Sequence, residues 1–189
     1  LTLLSIPTLI LIYQGFILDN LGTYEIIGKI NLGKLNFIFT LLCIGLLINA
    51  FNYNDGIDGL ALSQIVICLI YYKFFINNSE LNYFLNLILI ALIITLFFNF
   101  SKNIKFKIFL GNGGSLMLGF ILSFFIIYLS KYENIHPGLL IWPVAYLVYE
   151  FLSVSIIRIK RKKNIFIPGK DHFHHLLLKK FNNSHFKTT

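Results

Sequence analysis

Six long apolar runs constrain this chain more than any other feature of its sequence. They cover residues 1–18, 35–51, 60–76, 82–100, 115–130 and 139–157. Crossing a bilayer takes about 20 mostly apolar residues, and in lipid a single segment can satisfy its own backbone polar groups only as a helix. The runs lack the alternation of polar and apolar residues that is typical of membrane β-strands. We therefore predict an all-α, polytopic transmembrane bundle with about six spans, forming one integral membrane domain over residues 1–189.

The composition agrees with a membrane protein. Hydrophobic residues make up 57% and charged residues 13% of the 189 residues, whereas soluble domains contain about 45–50% apolar and about 25% charged residues. The net charge of +8 is explained by cationic loops that orient membrane helices, so no nucleic-acid partner is expected. Because the chain starts at Leu1 inside an apolar run, without the charged region of a signal peptide, we expect it to be part of a longer protein.

The basic residues predict which side of the membrane each loop faces. Segments 52–59, 101–114 and 158–189 contain most of the Lys and Arg residues, including the run RIKRKK that begins at Arg158. The intervening loops contain more acidic than basic residues. Since cytoplasmic loops carry the excess of Lys and Arg, this set of three segments is predicted to be cytoplasmic, including 52–59, which itself contains no Lys or Arg.

A polar stripe lies at the end of the second run, in the segment NAFNYNDGIDGLA. Asn49, Asn52, Asp55 and Asp58 are each three residues apart, which would place them on one ridge of a helix. Two Asp-Gly steps are also ordinary turn chemistry, and Asp58 could cap the next helix. Polar side chains at the end of a span are costly and usually functional. Carboxylates beside amides suit a divalent cation, a sugar nucleotide or a proton transfer.

A glycine-rich segment, KIFLGNGGSLMLGF, covers residues 107–120. Gly111, Gly113 and Gly114 allow a ligand to approach the backbone closely. Ser115 is predicted to open the next helix, so that free N–H groups favour an anion such as phosphate. The alternative is a tight turn with a serine cap.

The tail segment PGKDHFHHLLLKKF covers residues 168–181 and contains three histidines. His172, His174 and His175 lie on or beside one face of a predicted short amphipathic helix. This helix could lie on the membrane surface with solvated histidines. The histidines could instead hold a metal or contact phosphate.

Together and in this order, the three segments resemble motifs of the polyprenyl-phosphate N-acetylhexosamine-1-phosphate transferases, which form part of glycosyltransferase family 4. NAFNYNDGIDGLA resembles the signature N-A-x-N-x-x-D-G-x-D-G-L-A, GNGGSLMLG resembles G-D-x-G-S-x-x-L-G, and HFHH resembles H-x-H-H. The likeness extends from about residue 15 to residue 178. It is closer to the undecaprenyl-phosphate GlcNAc-1-phosphate transferase branch, because the other branch has three adjacent histidines.

The resemblance implies a reaction and its setting. A UDP-N-acetylhexosamine would give sugar-1-phosphate to a membrane polyprenyl phosphate such as undecaprenyl phosphate, releasing UMP, at the first membrane step of cell-envelope glycan synthesis. Mg²⁺, with Mn²⁺ as the alternative, would neutralise the pyrophosphate. The implied setting is the inner membrane of a bacterium, among membrane lipids, with the site facing the cytoplasm. A homodimer is compatible with it.

The resemblance also implies roles for individual residues. The catalytic residues would be Asp55, Asp58, His172, His174 and His175. The substrate-binding residues would be Asn49, Asn52, Lys107, Gly111, Gly114 and Ser115. The metal ligands would be Asp55 and Asn112.

Three departures from the family pattern keep other functions open. Asn112 stands where the family has an aspartate that is thought to hold Mg²⁺. Gly169 and Lys170 replace an Asp-Arg pair, and an aspartate pair from an earlier cytoplasmic loop has no counterpart. A catalytically inactive relative is therefore one alternative. A transporter or ion-binding membrane protein is another, although its polar residues should lie near the bilayer midplane.

Overall fold

The computed structural model describes residues 2–101 and 103–162 of the chain. Its helices are α1 Thr2–Tyr13, α2 Asn36–Asn54, α3 Leu60–Lys73, α4 Ser79–Asn99, α5 Gly111–Lys131, α6 Pro137–Ile141 and α7 Ala145–Lys160. Its strands are β1 Asn20–Tyr24 and β2 Gly28–Asn31. Short 3₁₀ turns cover Gly33–Leu35, Ile104–Phe106 and Trp142–Val144.

Four of the described helical segments are long and apolar enough to cross a membrane: Gly33–Asn54, Ser79–Asn99, Gly111–Lys131 and Pro137–Lys160. Many of their large apolar side chains point outward, as in Phe97, which is 76% exposed. Such a surface is stable only against lipid or other apolar partners. The chain is thus an integral membrane protein, and the predicted all-α class is confirmed.

Two of the six predicted spans are shorter than the sequence indicated. The run at 60–76 forms α3, a helix of 14 residues, which is about 21 Å long at 1.5 Å per residue. The run at 1–18 forms α1, a helix of 12 residues with Pro7 inside it. Both are shorter than the hydrocarbon thickness of about 30 Å, because the chain turns before the apolar composition ends.

Among the described helices, α2 packs most extensively against α5, and a glycine allows a close approach between them. A Cβ atom at Gly119 would lie 2.8 Å from the Cα atom of Ile48 and 3.2 Å from the Cβ atom of Phe51. Small residues at such crossings are typical of membrane helices, where packing and hydrogen bonds replace the hydrophobic effect. Phe51, Leu122 and Phe125 are completely buried at the centre of the core.

The segment 19–34, expected to be a loop, contains a β-hairpin that the sequence did not predict. Strands β1 and β2 pair antiparallel, with Tyr24 opposite Gly28. The Tyr24 ring packs edge-on against His136, with ring centroids 5.0 Å apart. The hairpin is short and rich in Gly and Asn, so its strand signal is weak, and contact with the loop before α6 stabilises it.

The loops meet in two groups at opposite ends of the bundle. At one end, Asn77 donates hydrogen bonds to Glu133, close to the hairpin. At the other end, the α2–α3 turn contacts the α4–α5 connection through Asp58 and Lys107. This alternation agrees with the two loop sets defined from the sequence, and it brings two of the three sequence motifs to one end.

Candidate functional site

The polar stripe is helical for only half of its length. Asn49 donates to the carbonyl of Gly45 at 2.6 Å, and Asn52 donates to the Ser115 hydroxyl at 2.6 Å. Helix α2 ends at Asn54, and Asp55 leaves the helical conformation with ψ of 56°. The expectation of one continuous helical ridge is therefore wrong. The Asp-Gly steps stop the helix, and the two aspartates lie on a turn beyond it.

The glycine-rich segment is also placed differently from the expectation. Helix α5 begins at Gly111, and its N-cap residue Leu110 makes no side-chain cap. Ser115 is not the cap: it is completely buried, with its hydroxyl within hydrogen-bond distance of the carbonyls of Gly111 and Asn112. The bond from Asn52 satisfies this buried hydroxyl and joins α2 to α5. The uncapped N–H groups of the first turn of α5 thus begin four residues earlier than predicted.

The two segments form one cleft of about 440 Å³ at this end of the bundle. Its lining consists of Asp55, Gly56, Ile57, Asp58, Asn99, Lys107, Phe109, Leu110, Gly111 and Asn112. The cleft combines carboxylates, an amine, an amide and the first turn of a helix. Groups of this kind recognise phosphates and the cations that accompany them.

Asp58 and Lys107 form an ion pair across the cleft. The Lys107 Nζ lies 2.5 Å from the Asp58 Oδ2, and the two side chains are 22% and 17% exposed. The same ammonium lies 5.1 Å from the centroid of the Phe109 ring, within the range of a cation–π contact. The N-cap residue of α3 is Gly59, the residue after Asp58. The ion pair ties the α2–α3 turn to the α4–α5 connection.

Among the described residues, Asp55 is the cleft carboxylate that forms no ion pair. Within the described part of the chain, no side chain or backbone donor bonds to its carboxylate, and burial raises the pKa of the Asp55 carboxyl from 3.8 to about 6. The native state therefore holds this proton more tightly than the unfolded chain does. Between about pH 4 and pH 6 the contribution of Asp55 to stability falls as pH rises, because its charged form is disfavoured when half-buried.

This environment fits a cation near Asp55. Asn112 lines the same cleft, and an amide oxygen is an acceptable ligand for a hard cation. No group of three or more His, Cys, Asp or Glu residues that could hold a metal occurs in residues 2–101 and 103–162. A cation here would accordingly have few protein ligands, as is usual for Mg²⁺, which keeps waters and binds substrate phosphates.

The other residues that the sequence singled out lie around or outside this cleft. Asn52 and Ser115 join the helices beneath it, and Asn49 lies a turn further along α2. Gly114 packs against Leu110, where a Cβ would lie 2.9 Å from the Leu110 Cδ1. The three tail histidines His172, His174 and His175 lie outside the described residues.

Two cleft residues with side chains that bear on binding, Asn99 and Phe109, were not among the predicted site residues. Asn99 is 5% exposed and lies within the run FFNF, residues 97–100. A polar residue in such a run is costly in a membrane helix, and this signal could have identified it. Phe109 is 68% exposed and lines the cleft, but a phenylalanine among apolar residues carries no distinguishing signal. Its ring offers a flat apolar surface at the rim, on which a nucleobase could stack.

Comparisons with known proteins show the family to which the chain belongs. Residues 1–130 match the model of the family described as "Glycosyl transferase family 4". A protein of Escherichia coli strain K12 named "Undecaprenyl-phosphate alpha-N-acetylglucosaminyl 1-phosphate transferase" is 24% identical over 181 residues, which cover 93% of this chain and 49% of that protein.

A Bacillus subtilis strain 168 protein named "Probable undecaprenyl-phosphate N-acetylglucosaminyl 1-phosphate transferase" is 30% identical over 173 residues, covering 90% of this chain and 48% of the relative. A Yersinia pestis protein with the same name as the Escherichia coli one is 26% identical over 171 residues, covering 84% and 44%. This chain thus spans about half the length of these relatives. Because the family model matches more than half of the chain, the chain belongs to glycosyl transferase family 4.

Proposed function

We propose that the complete protein transfers a sugar-1-phosphate, most simply GlcNAc-1-phosphate, from a UDP-sugar to a membrane polyprenyl phosphate. In this reaction an oxygen of the lipid phosphate attacks the β-phosphorus of the UDP-sugar. A new P–O bond forms, the bond from that phosphorus to the bridging oxygen breaks, and UMP leaves. The product is a polyprenyl diphosphate sugar. The names of the relatives support undecaprenyl phosphate as the acceptor.

The observation that carries this proposal is the cleft between the α2–α3 turn and the start of α5. Lys107 and the uncapped first turn of α5 supply positive charge and N–H donors for the diphosphate of the donor. The exposed Phe109 ring suits the uracil base. These groups lie where apolar helices end, so a soluble nucleotide and a lipid phosphate could meet there.

A divalent cation, Mg²⁺ or Mn²⁺, would be held by Asp55 and the amide oxygen of Asn112. When bound, it would offset the negative charge that builds up on the diphosphate during transfer. Asp58 has a different task in this proposal, because it is already paired with Lys107 and holds that ammonium against the cleft. Asp55 and Asp58 therefore contribute differently, one toward the cation and one toward the positioning of Lys107.

In our proposal this end of the bundle faces the cytoplasm from a bacterial inner membrane, and the excess of Lys and Arg in segments 101–114 and 158–189 supports this orientation. The tail that contains His172, His174 and His175 would reach the same face and contribute phosphate contacts. A transporter is disfavoured, since the described polar cluster lies at the end of the spans and not at the midplane.

The proposal is tested with the complete protein, undecaprenyl phosphate and UDP-GlcNAc labelled with ¹⁴C in the sugar. We expect label to enter the lipid fraction, and Asp55→Asn and Asp58→Asn each to abolish this without unfolding the protein. Asn103→Ala, in the α4–α5 connection but outside the cleft lining, serves as the matched control. Folded protein that transfers no label at any Mg²⁺ concentration would favour the catalytically inactive relative, for which Asn112 is the specific indication.

A further inference from the structure

Asn99, the last residue of α4, bonds to both segments that form the cleft. Its Oδ1 accepts the N–H of Gly59 at 2.5 Å, and its Nδ2 donates to the carbonyl of Ile108 at 2.7 Å. The side chain is 5% exposed. One buried amide thus uses both of its ends on backbone groups that lie 40 residues before and nine residues after it.

The two backbone groups belong to the residues that directly follow the two ion-paired residues in the sequence. Gly59 follows Asp58, and Ile108 follows Lys107. We propose that Asn99 is a positioning residue that sets the distance between the α2–α3 turn and the α4–α5 connection. It thereby keeps Asp58 and Lys107 in contact and maintains the shape of the cleft that binds the UDP-sugar. This inference rests on the proposed function for its kinetic consequence, but its structural content is independent of it.

The surroundings of Gly59 support a fixed spacing. Gly59 has φ of +80°, and a Cβ atom there would overlap the ring of Phe100, the residue next to Asn99. The turn is therefore in contact with both the Phe100 ring and the Asn99 amide. A left-handed glycine against a ring allows this close approach, which other residues would prevent.

The chemistry requires an amide at this position. A buried polar side chain must be hydrogen-bonded to be tolerated, and only an amide offers a donor and an acceptor of this size. A carboxylate at position 99 keeps the acceptor for Gly59 but loses the donor to Ile108. An aliphatic side chain of the same length loses both bonds. These two changes therefore separate the contribution of the bond to Gly59 from that of the bond to Ile108.

The experiment compares Asn99→Leu, Asn99→Asp and the control Asn103→Ala in the complete protein. The Asn103 Oδ1 also accepts a backbone N–H in the same connection, but only that of Lys105, two residues away. Hydrogen exchange at the Gly59 amide is measured together with kcat and KM for UDP-GlcNAc. A radiolabel transfer assay supplies the kinetics, and near-UV circular dichroism checks that each variant is folded.

We expect the Gly59 amide to exchange at least tenfold faster in Asn99→Leu, while amides in the middle of α4 keep their protection. In Asn99→Asp the Gly59 amide should stay protected. Both Asn99 variants should lose at least tenfold in kcat/KM for UDP-GlcNAc with little change in KM for the lipid, and Asn103→Ala should behave as the parent. If Asn99→Leu does not fold, the nearly isosteric Asn99→Asp still tests the hydrogen bond that Asn99 donates to the carbonyl of Ile108.

An unchanged rate of hydrogen exchange at the Gly59 amide in folded Asn99→Leu would overturn the claim that Asn99 sets this spacing. Unchanged kcat/KM in both folded Asn99 variants, with only a lower melting temperature, would reduce Asn99 to a structural role and overturn the positioning claim. If the parent protein transfers no sugar-phosphate, the proposed function fails, but the exchange comparison still decides whether Asn99 sets the spacing of the two segments.

Discussion

Replacing Gly119 with alanine should push apart the two helices that carry the site. The added Cβ would lie 2.8 Å from the Ile48 Cα, and an ordinary contact begins at 3.4 Å, so α2 and α5 must separate by about 0.6 Å. One turn closer to the cleft, the Asn52–Ser115 hydrogen bond is 2.6 Å long. If the whole shift reaches it, this bond lengthens to about 3.2 Å, the upper end of the normal range.

The free-energy cost follows from overpacking. Inserting a methyl group into a tightly packed contact destabilises proteins by about 1–3 kcal/mol. Gly45 provides a matched control, because it lies in the middle of α2 and a Cβ there has no atom within 4 Å. Both substitutions gain the same preference of alanine for helix, about 0.5–1 kcal/mol. The two variants should therefore differ by about 1–3 kcal/mol, with Gly45→Ala the more stable.

Denaturant unfolding in detergent micelles measures this difference, and the sugar-phosphate transfer assay reports its effect on the cleft. We expect Gly119→Ala to lose both stability and turnover, and Gly45→Ala to retain both. Equal unfolding free energies for the two variants would refute the packing argument. A destabilised Gly119→Ala that keeps full turnover would show instead that the Asn52–Ser115 bond does not influence the site.

Three further predictions concern the charges of the cleft. Because burial raises the pKa of Asp55 to about 6, turnover should fall as the pH drops through 6. Asp55→Asn should raise the melting temperature at pH 7.5 but not at pH 4.5. An equal gain at both pH values would contradict the raised pKa of Asp55. Lys107→Met and Asp58→Asn should be non-additive in a double-mutant cycle of the free energy of unfolding, whereas additive losses would mean that the pair acts as two separate groups. Asn112→Asp adds a charge to the proposed cation site, so half-maximal activity should need several-fold less Mg²⁺, and a flat response would remove Asn112 from that site.

Hydrophobicity made the membrane class and the positions of the helices predictable. Long apolar runs allow few other structures in lipid, and the described helices lie within a few residues of the expected runs. The ends of the helices were less predictable. The residues of 1–18 and 60–76 are apolar beyond the point where the chain turns, and composition alone does not mark that point. The hairpin at Asn20–Asn31 depends on contact with His136, which is distant in sequence.

In the site, too, features set by neighbouring residues were predictable from the sequence, whereas contacts between residues far apart in the sequence were not. The sequence motifs drew attention to Asp55, Asp58 and Asn112, and all three line one cleft in the structure. The regular spacing of three suggested a helical ridge, but glycines after each aspartate end the helix. The pairing of Asp58 with Lys107 joins residues 49 positions apart, and local sequence contains no signal for it. Asn99 is marked in the sequence by its polarity within an apolar run, but its bridging role is recognisable only when Gly59 and Ile108 are seen beside it.

The central claim, that the cleft serves transfer of a sugar-1-phosphate to a lipid phosphate, is tested most directly by following the two phosphorus atoms of the donor. The complete protein is incubated with undecaprenyl phosphate and with UDP-GlcNAc labelled with ³²P at either the α- or the β-phosphorus. Our account predicts that the β label enters the lipid and the α label is released as UMP, with both processes lost in Asp55→Asn. Release of both labels together as UDP, or retention of both in unreacted donor by folded protein, would contradict it.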